Sequence, residues 1–214
     1  LPISRKKELL TLMKIENDWY KDTMSQINND LVYDLLELEA TNCQKCILSE
    51  SRNRVVFGKG DKKSKIFIIG EAPGKDEDIN GEPFIGRAGK LLTEILLSIK
   101  LKRSDVYITN TIKCRPPQNR NPRNDEIKSC SHFLDKEISL ISPEVIILLG
   151  KTAAETVLNT SKSMAELRGK IHYYKDTKIP TLVFYHPAYL LRSPYEKRKV
   201  WDDILFMKRE INVS

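Results

Sequence analysis

Three short stretches and four cysteines hold the residue types that could do chemistry. The first follows the apolar run Ile66-Phe67-Ile68-Ile69. It reads Gly70-Glu71-Ala72-Pro73-Gly74-Lys75-Asp76-Glu77-Asp78, then Gly81-Glu82-Pro83-Phe84-Ile85-Gly86. Carboxylates can orient or deprotonate a water molecule. Glycines let the backbone come close to a ligand, and Phe84 is an odd residue to leave in a plain solvent loop. The second stretch, residues 110–122, opens on Asn110 and holds Lys113, Cys114, Arg115 and Arg120. Pro116, Pro117 and Pro122 make it a rigid, irregular basic loop. The third is His186-Pro187-Ala188-Tyr189-Leu190-Leu191-Arg192-Ser193-Pro194, a histidine delivered at a strand end ahead of an apolar pair and an arginine.

The cysteines are Cys43 and Cys46, spaced C-x2-C, and Cys114 and Cys130. Residues 1–7 lack the basic-then-apolar order of a secretory leader, so a metal site is expected before a disulfide framework. Four thiolates suit zinc or an iron–sulfur cluster, and spacing alone does not choose between them.

The apolar periodicity predicts the elements that position these groups. Strands are expected at residues 66–69, 105–110, 145–149 and 181–185, with a further strand or hairpin arm in 167–174. Val145 to Leu149 is continuously apolar, as a strand buried on both faces would be. A long polar loop is expected after residue 69, followed by a helix from Gly86 to about Lys100. Asn124 is expected to cap a helix that carries Cys130 and runs to about Ile141, and a basic helix closes the chain from about Tyr195. Gly150-Lys151-Thr152 opens a short helix. It is not a phosphate-binding P-loop, because Val145 stands where the first glycine would be needed. Residues 5–40 read as two helices. The first is marked by Leu9, Leu10, Met13 and Ile15 and closes near Trp19 and Tyr20. The second is marked by Leu31, Val32, Leu35, Leu36 and Leu38, with Asn28-Asn29-Asp30 at its start.

Strands alternating with helices imply a three-layer α/β/α sandwich around a mostly parallel sheet, with N-terminal helices added. All three candidate loops then fall at carboxyl ends of strands, where such sheets bind ligands. The expected division is residues 1–40 as a helical appendage and 41–214 as the main domain. The 214 residues, 40% hydrophobic, suffice for one packed core. Thirty-six basic against 29 acidic residues leave +7, which favours polyanionic partners. No apolar run reaches the roughly 18–20 residues of a membrane span, so a cytoplasmic protein with no membrane partner is expected.

Taken together, the segments GEAPGKDED-INGEPFIGRAGKLL, YITNTIKCRPPQNRNP, VIILLGKTA and YHPAYLLRSP, with the helix around Cys130, resemble the family-4 uracil-DNA glycosylases. The likeness runs from about Cys43 to Arg192 and leaves residues 1–40 outside. It implies hydrolysis of the N-glycosidic bond of deoxyuridine in single- or double-stranded DNA by a monomer, the first step of base-excision repair. It also implies a [4Fe-4S] cluster on Cys43, Cys46, Cys114 and Cys130. Phe84 becomes the platform on which the extruded base stacks, and Asn110 the amide that reads uracil against cytosine. His186 becomes the donor to the departing uracil O2. Glu71 and Glu77 are the candidates to orient water, ahead of Asp78, with backbone near Ala72 helping. Leu190 and Leu191 become a wedge, and Arg115, Arg120 and Arg192 meet phosphates.

Two departures separate the chain from related groups. Ala72 stands where the family-1 enzymes have a catalytic Asp, and Gly74 where they have a Tyr. The loop from Arg115 to Pro122 has no histidine, unlike the group that traps uracil covalently. A non-catalytic DNA-binding module on the same fold, a zinc-stabilised nucleotide-binding protein, and a glycosylase for another deaminated base are the competing readings.

Overall fold

The computed structural model describes residues 17–211, with residues 17–28 as backbone alone. The first element, α1 (Asn17–Thr41), is one continuous helix, where a break near residues 28–30 was expected. The expected marks of an earlier helix at Leu9, Leu10, Met13 and Ile15 lie outside the described residues. Asn and Asp cost only about 0.7 kcal/mol or less each in a helix. No Gly or Pro interrupts this one, and Tyr33, Leu36 and Ala40 anchor it in the core.

A six-stranded sheet follows, in the order β1-β3-β2-β4-β6-β5. Its centre is β2 (Ile66–Gly70), flanked by β3 (Tyr107–Asn110) and β4 (Val145–Leu149), with β6 (Pro180–Phe184) beyond β4. These four run parallel. The two-residue strands β1 (Lys59–Gly60) and β5 (His172–Tyr173) close the edges antiparallel.

Alternate residues of each strand enter two separate cores. Phe67, Ile69, Tyr107, Ile146, Leu148 and Val183 face one. Ile66, Ile68, Ile108, Ile147, Leu149 and Leu182 face the other. The first core is covered by α1, α2 (Leu48–Ser51), α5 (Asn124–Ile141), α6 (Lys151–Leu158) and α7 (Met164–Leu167). The second is covered by α4 (Arg87–Ser98), α8 (Pro187–Arg192) and α9 (Lys197–Glu210). The chain is therefore a three-layer α/β/α sandwich. Every strand residue of β2 and β4 is buried, because helices cover both faces.

Two sequence expectations need correction. The loop after β2 contains a short helix, α3 (Lys75–Asn80), closed by Gly81 in the left-handed conformation. Asn124 is the first helical residue of α5 rather than its cap. The helix start is tied instead by Glu126, whose carboxylate accepts the Arg123 N–H at 2.7 Å.

Strand β2 is followed by a helix on the second face, while its neighbours β3 and β4 are followed by helices on the first. At such a switch the connections diverge and leave a crevice at the carboxyl ends.

Candidate functional site

That crevice is lined by Glu71, Ala72, Glu77, Phe84, Asn110, Arg120, His186 and Arg192, with Pro73, Gly74, Asn119 and Tyr189 between them. Residues from all three chemistry-bearing stretches thus meet in one cleft.

Asn110, the last residue of β3, is 1% exposed, and its Oδ1 is buried without a hydrogen-bond partner. An unpaired buried acceptor costs about 1–3 kcal/mol, so this atom is poised for a donor that the free protein does not supply. It sits against Gly70 at the end of β2. A Cβ on Gly70 would come within 2.4 Å of Asn110 Oδ1 and 2.5 Å of Phe84 Cζ. Glycine there is what lets the amide and the ring share the pocket floor.

Phe84 is 6% exposed and holds φ +54°. A non-glycine residue in the left-handed region costs about 1–2 kcal/mol, and such strain gathers at functional sites. The loop is braced from behind by Arg103, whose guanidinium donates to Pro83 O. The Phe84 ring lies 5.6 Å from the His186 ring, tilted by 33°.

His186 leaves β6 and caps α8. Its Nδ1 accepts the Ala188 N–H at 3.1 Å. The proton of the neutral ring therefore sits on Nε2, which makes that nitrogen a donor. Burial, aided by the charge of Arg192, lowers its pKa to about 4. Gly150 makes room for it: φ there is +89°, and a Cβ would meet His186 Cβ at 2.9 Å.

The two candidate glutamates differ. Glu77 Oε1 accepts both the Ile85 and Gly86 N–H groups at 2.9 Å, so it closes the loop that carries Phe84. Burial raises the pKa of Glu71, and the Thr152 hydroxyl beside it pulls the other way. Thr111 Oγ1 donates to the Glu71 carbonyl at 2.6 Å. Sequence reasoning missed Thr111, Thr152 and Tyr189. The signal for Thr152 was its place three residues past the end of β4, on the same rim.

Some expected DNA contacts are placed differently. Leu190 is fully buried in the second core, because the turn of α8 points it back at the sheet; it is no wedge in this conformation. Leu191 is 37% exposed beside it. Arg120 spends its fork on the buried Glu126, at 2.9 and 2.5 Å, so it braces the loop before it can meet a phosphate. Arg115 Nε donates to Asn119 Oδ1 at 2.7 Å. Arg192 is exposed at the cleft's edge.

All four cysteines line one small hollow, together with Arg52, Lys113 and Phe133. Arg52 Nη1 donates to Cys114 Sγ at 3.2 Å, and the Lys113 N–H to Cys130 Sγ at 3.3 Å. Burial pushes the Cys130 thiol up to about 12 and raises Cys114 as well, with Arg52 drawing Cys114 back. Four thiols facing one hollow, two of them already receiving N–H···S bonds, fit a sulfur-bound metal group. Among the described residues no three His, Cys, Asp or Glu side chains converge tightly enough to hold one metal ion.

Comparison with known proteins gives the same direction. Residues 57–205 match the uracil DNA glycosylase superfamily. The chain is 42% identical to the type-4 uracil-DNA glycosylase of Archaeoglobus fulgidus, over 77% of this chain and 86% of that one. It is 44% identical to the type-4 enzyme of Thermotoga maritima, over 78% and 91%. It is 41% identical to that of Saccharolobus solfataricus, over 84% and 86%.

Proposed function

The chain belongs to the uracil DNA glycosylase superfamily, and from that premise we propose that it is a uracil-DNA glycosylase. It hydrolyses the N-glycosidic bond of deoxyuridine in DNA, releases uracil and leaves an abasic site for base-excision repair. The observation that carries this reading is the partnerless Asn110 Oδ1 in the cleft beside Phe84 and His186.

The extruded base stacks on Phe84, a contact worth about 1–3 kcal/mol. Asn110 Oδ1 accepts uracil N3–H, and the amide nitrogen donates to O4. Cytosine offers the opposite pattern and would leave both sides unpaired, at about 1–3 kcal/mol per group. As the bond breaks, negative charge grows on uracil O2. His186 Nε2–H donates to it, and a preorganised donor of this kind is worth about 2.7–4 kcal/mol. The neutral ring suits the task, because burial disfavours an imidazolium there.

Positive charge grows on the sugar, and water attacks it. Glu71 is the carboxylate for that water: its burial makes it a stronger base than a free glutamate. Glu77, committed to two amides, shapes the loop. Arg192 and Leu191 meet the DNA at the cleft's edge, with Arg115 behind. One chain supplies every group, so a monomer suffices. The catalytic unit is residues 41–214. Its substrate puts the enzyme where the DNA is, in the cytoplasm.

Cys43, Cys46, Cys114 and Cys130 hold a [4Fe-4S] cluster in this reading. Its contribution is a cross-link between two distant segments beside the cleft. Iron content and a visible absorbance band test it; a colourless protein with zinc would contradict it.

The deciding experiment is incubation with an oligonucleotide carrying one deoxyuridine, followed by alkali. Cleavage at the uracil alone is expected. An intact strand, from iron-loaded protein, sinks the proposal.

A further inference from the structure

Beneath the reading amide lies a buried ion pair that the reaction as described does not use. Lys113 is 1% exposed and Glu137, on α5, is wholly buried. The Lys113 ammonium donates to Glu137 Oε2, to Thr109 Oγ1 at 2.6 Å and to the backbone carbonyl of Asn110 at 3.0 Å. All three of its protons are engaged. Glu137 also accepts from the Tyr107 hydroxyl at 2.8 Å, the Gly58 N–H at 3.1 Å and the Thr109 hydroxyl at 3.3 Å. Its carboxylate is as fully occupied as the ammonium.

Such a pair contributes little net stability against well-packed apolar residues of the same volume, since desolvation offsets the attraction. What it supplies here is position. Asn110 Oδ1 has no protein partner to hold it, so the orientation of its amide must be set by packing and by its main chain. The Lys113 ammonium takes hold of that main chain, at the point where β3 leaves the sheet. The same lysine's N–H donates to Cys130 Sγ, and its carbonyl accepts the Val56 N–H at 2.8 Å. The grip is therefore anchored at both ends.

We propose that Lys113, held by Glu137, is a positioning residue for Asn110 and thereby sets how tightly and selectively uracil is bound. The inference rests on the reading of Asn110 as the uracil-binding amide. A released carbonyl would leave the peptide after Asn110 held by its Thr111 N–H alone, which donates to Gly70 O at 2.9 Å, and would loosen the setting of an amide that no protein donor holds at Oδ1.

The test uses the full chain with iron bound and the double variant Lys113→Met/Glu137→Gln, which removes both charges at similar volume. Inhibition by free uracil is measured, with kcat and KM on a single-deoxyuridine oligonucleotide. Binding to an oligonucleotide with a tetrahydrofuran abasic analogue and the visible absorbance are measured beside them. Uracil inhibition should weaken about tenfold, the scale of one lost hydrogen bond of orientation. Excision of uracil relative to cytosine should narrow, while abasic-site binding and absorbance hold. Unchanged uracil inhibition in a folded, iron-loaded variant overturns the proposal. So does an equal loss of uracil and abasic-site binding, which would mark a merely structural pair.

If the double variant does not fold, Thr109→Val keeps the ion pair and deletes one of the lysine's acceptors. It should weaken uracil inhibition about threefold, and no change overturns the proposal. A parent protein that excises no uracil removes the reading of Asn110 and this inference with it. An active parent with an indifferent variant removes only the positioning role.

Discussion

Thr109 and Asn110 are adjacent in β3, both buried, and they face opposite sides of the sheet. On the Thr109 side, Tyr33, Tyr107, Lys113 and Glu137 form a network in which the buried donors and acceptors find each other. On the Asn110 side one acceptor is left open, next to a phenylalanine in a strained conformation and a glycine that permits the close approach. Buried polar groups are normally paired. The contrast separates a region built to hold shape from a region built to receive something. It also shows that burial alone does not mark a site.

The sharpest way to break the contrast is Asn110→Ala. It should lower kcat/KM for uracil excision by about 10²–10⁴, two buried hydrogen bonds' worth, while leaving the melting temperature unchanged or raised. A fall in stability with activity intact would put Asn110 on the structural side. Next comes His186→Ala, expected to reduce kcat by about 10²–10³ with DNA binding little altered. An equal loss in both would make it a cap for α8 and nothing more.

The pH dependence sharpens the same line. His186 has a folded pKa of about 4, below its ordinary 6.5. Between those values the unfolded chain binds more protons, so stability rises with pH and this contribution is complete above about 6.5. As pH falls toward 4 it is lost, at most roughly 3 kcal/mol, since each pKa unit is about 1.36 kcal/mol. Chemical denaturation at pH 7 and 4.5 should show the loss in the parent and less in His186→Ala. In activity, an acid limb near pH 4 belongs to His186. A limb higher than a free glutamate's would report Glu71, whose pKa burial raises.

Tyr107→Phe is the converse probe. It takes one donor from Glu137 and should cost about 1–3 kcal/mol in urea unfolding, with excision per folded molecule unchanged. The smallest effect is expected at the rim. Leu191→Ala should slow excision from duplex DNA about threefold to tenfold and leave single strands nearly alone, because only a duplex needs a wedge. Equal slowing on both would place Leu191 outside that role.

Much of this was legible in advance. The unbroken apolar runs at residues 66–69 and 145–149 mark strands buried on both faces, and loops rich in Gly, Pro and carboxylate after apolar runs point at strand ends. The four cysteines announced a shared site by type and spacing. The differences between expectation and structure share a cause. A helix start was expected near Asn28, where local propensity is weak, but the helix runs unbroken from Asn17 to Thr41, with Tyr33, Leu36 and Ala40 packing it on the core. Leu190 and Leu191 look alike in sequence, and only the turn of α8 sends one inward. Arg120 looked free because its partner, Glu126, becomes a neighbour only once α5 has formed.

The sequence by itself determined the strand and helix alternation, the parallel sheet and which loops gather at the carboxyl ends of the strands. These follow from short-range periodicity and from the types of a few residues. The tertiary structure decided which glutamate is committed to backbone amides, which nitrogen of His186 carries the proton, and that Asn110 Oδ1 stands unpaired. Those are properties of atoms brought together from strands far apart in the chain. A hydrogen bond that is missing can be recognised only when every neighbour that could have made it is in place.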